Sequence, residues 1–322
     1  MGKAWVSEPA FSYQSVAVDS IDVLKRPVDG ADAEIVQLGK GCITGSLSRA
    51  TIGDLSFSRG SFSLPIRASG VLSRTRLTLG LLLRSAEPVR DSSGLPAIAG
   101  DIFIIPPGID HHNVYSGPAS FIGLTIDPIE LATLFGGEAV LSQPEYWSRL
   151  HRCRPQNPQA SLDIDRRLRM IFATLARQRT LPATTATYFK RAILEGFAEP
   201  LATASAPKQS SGIASEVAIV RKVEHFVDAI QHRPVHISEL CTALKISRRT
   251  LHRCFEDVLG IGPGAFLRHK RLCSVHSALR QLDRRTNRVT QVATEFGFLE
   301  LSRFARQYRA VFGEYPHQTL RR

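Results

Sequence analysis

ISELCTALKISRRTLHRCF, Ile237 to Phe255, and VTQVATEFGFLELSRFARQY, Val289 to Tyr308, are the stretches that decide the fold. Each sets apolar residues at helical spacing, breaks for a tight turn, and resumes as a helix whose solvent positions carry Arg, His or Ser. That is the pattern of a helix-turn-helix, and it occurs twice, at about 237–256 and 289–310. In the first unit Ile237, Leu240, Cys241 and Leu244 line a supporting helix. Ser247 can cap the next helix, because its hydroxyl can accept from an otherwise unpaired backbone N–H. Leu251 and Phe255 then face inward, which leaves Arg248, Arg249, His252 and Arg253 towards solvent. In the second unit Val292, Ala293 and Phe296 serve the support, and Gly297 supplies the left-handed backbone of the turn. Phe304 and Tyr308 point inward there, while Ser302, Arg303 and Arg306 point out.

These outward residues have the chemistry of groove readers. The planar fork of arginine matches guanine O6 and N7 in the major groove and also grips phosphate. Between the units lies GPGAFLRHKRLCSVHSALRQL, with Phe266, Leu267, Leu272, Val275, Leu279 and Leu282 at helical intervals. About 20 residues at ~1.5 Å rise make a rod of roughly 30 Å, near one turn of B-DNA, so one chain can set two reading helices in successive major grooves. The charge agrees. The chain carries a formal +12, and residues 215–322 hold 19 Lys and Arg against 10 Asp and Glu, so most of the excess sits in the last third.

With 43% hydrophobic and 22% charged residues, the 322-residue chain is ordinary soluble globular protein, long enough for two domains. From Val16 to about Ile126 it runs in short alternating segments such as EIVQL (Glu34 to Leu38), RLTLGLLL (Arg76 to Leu83) and SFIGLTI (Ser120 to Ile126), the signature of a barrel or sandwich. From Pro128 the period becomes helical. LATLFGG and EYWSRLHR read as helices, and SLDIDRRLRMIFATLARQ places Leu162, Ile164, Leu168, Ile171, Phe172 and Leu175 on one stripe. A helix over about Ala186 to Leu201 does the same with Tyr188, Phe189, Ile193, Leu194 and Phe197. The 162–178 stripe fits a dimer surface and a cover for the barrel equally well.

The small-residue stretch ATASAPKQSSGIAS, 202–215, reads as a flexible linker between domains 1–201 and 216–322. Five cysteines without a CxxC pair suggest buried free thiols in a reducing compartment. The N-terminus has no secretory pattern and no stretch approaches the roughly 20 apolar residues of a membrane span, so a cytoplasmic protein without membrane contact is expected.

Residues of about 217–322 resemble the DNA-binding domain of the AraC/XylS family of transcription regulators. The second unit carries the resemblance through Val292, Ala293, Gly297, Phe298, Ser302, Phe304, Arg306, Phe312, Gly313 and Pro316; the linking helix matches through Pro263, Phe266, Leu267, Arg271, Leu272, Ala278 and Leu279. By that resemblance Arg249, Arg253, Ser302, Arg303 and Arg306 occupy DNA-contact positions. Cys241 stands where the family usually has Ala, and Lys245 where it often has Gly, which makes a strained turn at Lys245 an expectation.

GDIFIIPPGIDHHNV, Gly100 to Val114, resembles the second motif of cupin barrels, where a strand and a Pro/Gly turn present a His to the interior. No metal is expected: the chain has no histidine before His111, and His111 and His112, adjacent on a strand, point to opposite faces. His111 is instead a structural or pocket-lining residue, and a barrel lined by apolar side chains is a natural pocket for a small molecule.

The fold expected is therefore multidomain α and β: a cupin-like β-barrel with C-terminal helices, linked to an all-α double helix-turn-helix domain. No catalytic residues and no cofactor are expected, since the chain has no paired acid and base, no GxSxG and no Gly-rich nucleotide loop. The expected function is a sequence-specific transcription regulator, an activator rather than a repressor, modulated by a small-molecule effector whose identity the sequence does not give. Its expected partners are double-stranded promoter DNA and, by the resemblance, RNA polymerase, with a homodimer also allowed. The alternatives are a cupin-like enzyme with a DNA-binding appendage and an effector-independent architectural DNA-binding protein.

Overall fold

The computed structural model describes residues 11–25, 32–91, 95–134, 141, 143–204, 213–230, 233–282 and 289–320. The chain opens with β1 (Phe11–Val18), a short α1 (Ile21–Lys25), β2 (Asp32–Gln37), β3 (Gly45–Ile52), β4 (Leu55–Phe62), β5 (Ile66–Val71) and β6 (Leu77–Ser85). It continues through β7 (Val89–Arg90), β8 (Pro96–Ala97), β9 (Ile102–Ile105), β10 (Asp110–Tyr115) and β11 (Ala119–Ile126). Then come α2 (Pro128–Leu134), α3 (Pro144–Trp147), β12 (His151–Cys153), α4 (Gln159–Leu175) and α5 (Ala183–Ala202). The last third is helical: α6 (Ile213–Ala229), α7 (Ile237–Leu244), α8 (Arg248–Leu259), α9 (Pro263–Gln281), α10 (Val289–Glu295), α11 (Leu301–Phe312) and α12 (Pro316–Leu320). Of the expected linker, residues 205–212 lie outside the described residues.

The strands form two antiparallel sheets, one ordered β1-β3-β4-β11-β6-β9-β12 and the other β2-β5-β10-β7-β8. Among the described residues no ladder joins them, so the cupin-like unit expected takes the form of two separate sheets without closure into one cylinder. Alternation decides what each face does. On the larger sheet Ala50, Ile52, Ile122 and Leu124 pack with Ile164, Leu168, Ile171, Phe172 and Leu175 of α4 and with Ile193, Leu194 and Phe197 of α5. The α4 stripe is thus spent on covering the sheet. Arg59 of β4 pins it further by donating to Asp165 at 2.6 Å. Two expected stripe members depart: Leu162 is 44% and Tyr188 68% exposed.

The segment EYWSRLHR departs too. Only its first turn is helical, and His151–Cys153 instead extends the sheet as an edge strand on β9. Three of the five cysteines, Cys153, Cys254 and Cys273, are buried free thiols as expected, but Cys42 is exposed and Cys241 partly so.

The smaller sheet packs its outer face on the helical third. Val36 and Val114 share one continuous core with Val217, Val220 and Val223 of α6 and with Phe255, Phe266 and Leu272. The two halves of the chain therefore bury apolar surface against each other, which a flexible tether alone does not require.

Candidate nucleic-acid interface

Each reading helix is built on a buried spine. In α8, Leu251, Cys254, Phe255, Val258 and Leu259 are buried, and the helix starts where Ser247 Oγ accepts from Thr250 N at 3.0 Å. In α11, Phe304, Tyr308, Val311 and Phe312 are buried. The supports behave as the spacing required, with Leu240 of α7 and Val292 and Ala293 of α10 buried. The turns differ chemically. Gly297 has φ +75°, and a Cβ there would meet Pro234 Cγ at 2.5 Å, so both backbone and space demand glycine. Lys245 adopts the same left-handed region at φ 54°, and it is the one non-glycine with positive φ among the described residues, as the expected strain requires.

Helix α9 welds the units together. Phe266 meets Phe255 of the first unit at 5.5 Å between ring centroids. Ten residues on, His276 meets Phe312 of the second at 4.5 Å. Arg271, between them, lies over the Phe298 ring at 5.0 Å. Tyr308 donates to Thr319 Oγ1 at 2.8 Å, tying α11 to α12, and burial pushes its phenol above the usual range.

On this scaffold Arg248, Arg249, His252 and Arg253 of α8 and Ser302, Arg303 and Arg306 of α11 are all exposed. Arg248, Arg249 and Arg306 make no ion pair among the described residues. Arg253 pairs loosely with Glu216 at 3.7 Å and Arg303 with Glu300 at 3.9 Å. Such exposed contacts are weak enough to give way to a phosphate.

Sequence reasoning missed a second group, the polar residues that join the two halves. His269 of α9 donates from Nδ1 to the Gln37 carbonyl at 2.9 Å, and burial lowers its pKa. Lys270, also buried, binds Glu34 of β2 and lies 2.8 Å from Asp228 of α6. His276 Nδ1 sits 3.0 Å from Asp22 of α1. Burial opposes ionisation of Asp22, but His276, Lys25 and Ser277 hold it well below the usual carboxylate range. Gln37 Nε2 donates to the Val311 carbonyl at 2.6 Å, reaching the end of α11 itself. The innermost contact is Arg67 of β5. Its side chain is 2% exposed, and it clasps Glu224 of α6 through Nε at 3.0 Å and Nη2 at 2.8 Å. Burial would raise the Glu224 carboxyl, but Arg67 and His112 bring it down to about 2.

The space between the two sheets is a cavity of about 310 Å³. Ile35, Leu47, Ile66, Leu82 and Phe121 supply apolar walls, and His111, Asn113 and Tyr115 of β10 contribute polar groups. His111 is pocket-lining, as expected, and buried; its Nδ1 bonds the Gly70 carbonyl, and burial lowers its pKa to about 4, so it is neutral at pH 7. His112 points the other way, towards α6, where its Nε2 lies 2.6 Å from Asp110 Oδ2 and its Nδ1 accepts from Arg67.

Residues 240–322 match the family described as "Helix-turn-helix domain". The XylDLEGF operon transcriptional activator of Pseudomonas putida is 33% identical over 100 residues, 31% of this chain and 31% of that protein. The probable thc operon regulatory protein of Rhodococcus erythropolis is 30% identical over 103 residues, 32% of this chain and 31% of that one. The matched region thus spans about a third of the length of these curated relatives. Among solved structures, the AraC-like transcriptional activator CuxR aligns at 15% identity with a TM-score of 0.37, over 72% of this chain and 80% of that one. ToxT from Vibrio cholerae aligns at 11% and 0.33, over 96% and 97%. With two exposed helices on a shared core and a family match over residues 240–322, the C-terminal third of this chain is a helix-turn-helix domain similar to those of the transcriptional regulators it matches.

Proposed function

We propose that the chain is a transcription regulator, with activation as its expected sense, that binds specific duplex DNA through α8 and α11 and is modulated by a small molecule held between its two sheets. The observation that carries the reading is the pair of exposed arginine-bearing helices, each on a buried apolar spine and both welded to α9. Phosphate contacts by Lys and Arg supply salt-dependent affinity, and Arg248, Arg249, His252, Arg253, Ser302, Arg303 and Arg306 supply the choice of sequence. The cavity suits a small, mostly apolar effector with a polar group facing His111 and Asn113. By family resemblance RNA polymerase is the protein partner at promoters. A homodimer would use the outer side of α4 and α5, where Met170 and Tyr188 are exposed. The boundaries of this reading are a regulatory unit over 1–201, a connection over 202–215 and the reading unit over 216–322.

Genome-wide mapping of bound sites, followed by fluorescence anisotropy on the recovered duplexes, tests it. A shared sequence element bound more tightly than scrambled DNA is the expected result. Equal binding to both would replace this function with an architectural one.

A further inference from the structure

The face of β10 turned away from the cavity carries a constellation that the DNA-binding reading leaves unused. Asp110 and His112 stand two residues apart on one strand and so share a face. His225 reaches the same point from α6, across the junction between the two halves of the chain. One ligand atom from each lies within 4.8 Å of the others. His112 Nε2 is 2.6 Å and His225 Nε2 3.8 Å from Asp110 Oδ2. We propose that Asp110, His112 and His225 form a binding site for a borderline divalent transition ion, zinc foremost, that clasps the regulatory sheet to the DNA-binding half.

The donor set selects the ion. Two imidazoles and one carboxylate suit zinc, and also nickel or cobalt, whereas magnesium and calcium favour oxygen ligands alone. A tetrahedral zinc site with bonds of about 2.0–2.2 Å sets ligand atoms ~3.3 Å apart, so closure asks for side-chain shifts of roughly an ångström. His225 is 65% exposed and has room to make them. Water completes the fourth position.

The surroundings fit a liganding role. The outer oxygen of Asp110, Oδ1, already accepts from Gly70 N at 2.9 Å, which orients Oδ2 inward. Glu224 Oε2 lies 3.6 Å from His112 Nδ1, the place where metal-bound histidines keep a carboxylate. Two cations stand nearby. Arg67 donates to His112 Nδ1 but is matched by Glu224, and Arg221, 3.8 Å from Asp110, is 36% exposed and can turn to solvent. Ion binding at Nε2 moves the His112 proton to Nδ1, where Glu224 accepts it in place of the Arg67 contact. The expectation of no metal rested on the lack of a histidine before His111 and on the opposite faces of His111 and His112; the third ligand proposed here comes from 113 residues beyond His112.

The site does not depend on what the chain regulates, so its test needs no operator. Full-length protein stripped by a chelator is titrated with zinc chloride by calorimetry, with thermal melts in parallel. The wild type should take up one zinc per chain in the micromolar range or tighter and melt at a higher temperature with zinc. His225→Ala should melt like the wild type without zinc, bind at least ~10-fold more weakly and lose the zinc-dependent rise. His317→Ala, exposed on α12, should leave binding unchanged. No stoichiometric uptake by the wild type overturns the proposal. So does uptake by His225→Ala equal to the wild type.

Discussion

Replacing Glu224 by Gln isolates the contact that joins the two halves most deeply. The substitution preserves shape but leaves the Arg67 guanidinium, 2% exposed, without its counter-charge. Breaking a buried pair from one side costs about 3–5 kcal/mol, because the orphaned charge stays out of water. The ionisation of Glu224 gives an independent figure. Its carboxyl falls from 4.5 to about 2 on folding, and at about 1.4 kcal/mol per unit that is worth about 3 kcal/mol. The two figures agree. A depressed carboxyl stabilises fully above its unfolded pKa and loses that stabilisation as pH falls towards the folded one. The contribution is therefore present above about pH 4.5 and fades towards pH 2. Urea unfolding at pH 7 should show Glu224→Gln weaker than wild type by about 3 kcal/mol, with less of the acid-induced loss below pH 4.5. The double variant Arg67→Met with Glu224→Leu should recover most of it, since apolar replacement of a whole buried pair is often neutral. If Glu224→Gln unfolds within about 1 kcal/mol of wild type, α6 does not seat on β5 in this way.

Three further outcomes follow from single residues. Arg306→Ala should weaken binding to a recovered operator by about 1–3 kcal/mol and relax preference at one base position, read by anisotropy against single-base variants; unchanged affinity and preference would remove Arg306 from the reading set. Lys245→Gly should raise the urea midpoint by an amount worth about 0.5–1 kcal/mol, because glycine adopts the left-handed turn without steric cost; a fall would show that the Lys245 side chain contributes more than the turn loses. His111 is neutral and buried with its pKa lowered to about 4, so the unfolded chain binds its proton first and stability drains away as pH falls from 6.5 towards 4. In His111→Gln, melts across that window should be flatter than in the wild type.

The helical third was legible because its signals are local. Apolar residues three and four apart, a serine before Arg248 and a glycine at 297 each constrain a few neighbouring residues, and the structure uses each in that role. Strands such as Glu34 to Leu38 were legible for the same reason, through alternation. What escaped are features whose meaning depends on a distant partner. His151–Cys153 is a strand only because β9 offers it an edge. Lys270 and His276 look like the solvated side of a rod, yet both are buried against α1, β2 and α6. Arg67 reads as the polar side of an alternating strand and is among the most buried side chains described.

Under the proposed function, these missed residues offer a route from the cavity to the DNA. Along β5, Ile66 and Ala68 line the cavity while Arg67 between them grips α6; along β10, His111 and Asn113 line it while His112 between them faces the same helix. A strand cannot shift its inner residues without carrying its outer ones, since both hang from one backbone. An occupant that spreads the two sheets would therefore move Arg67 and His112 together against Glu224. The response passes into α6, whose Val217, Val220 and Val223 share a core with Leu251 and Phe255 of α8. Because Arg67 and His112 hold the Glu224 carboxylate only at close range, a small displacement would change the balance between docked and released states. The second unit answers to the same sheet by another route, through Gln37 on the end of α11. Both exposed helices are thus tied to one sheet, so under the proposed function an effector would not need to touch either of them to change how they stand to each other on DNA.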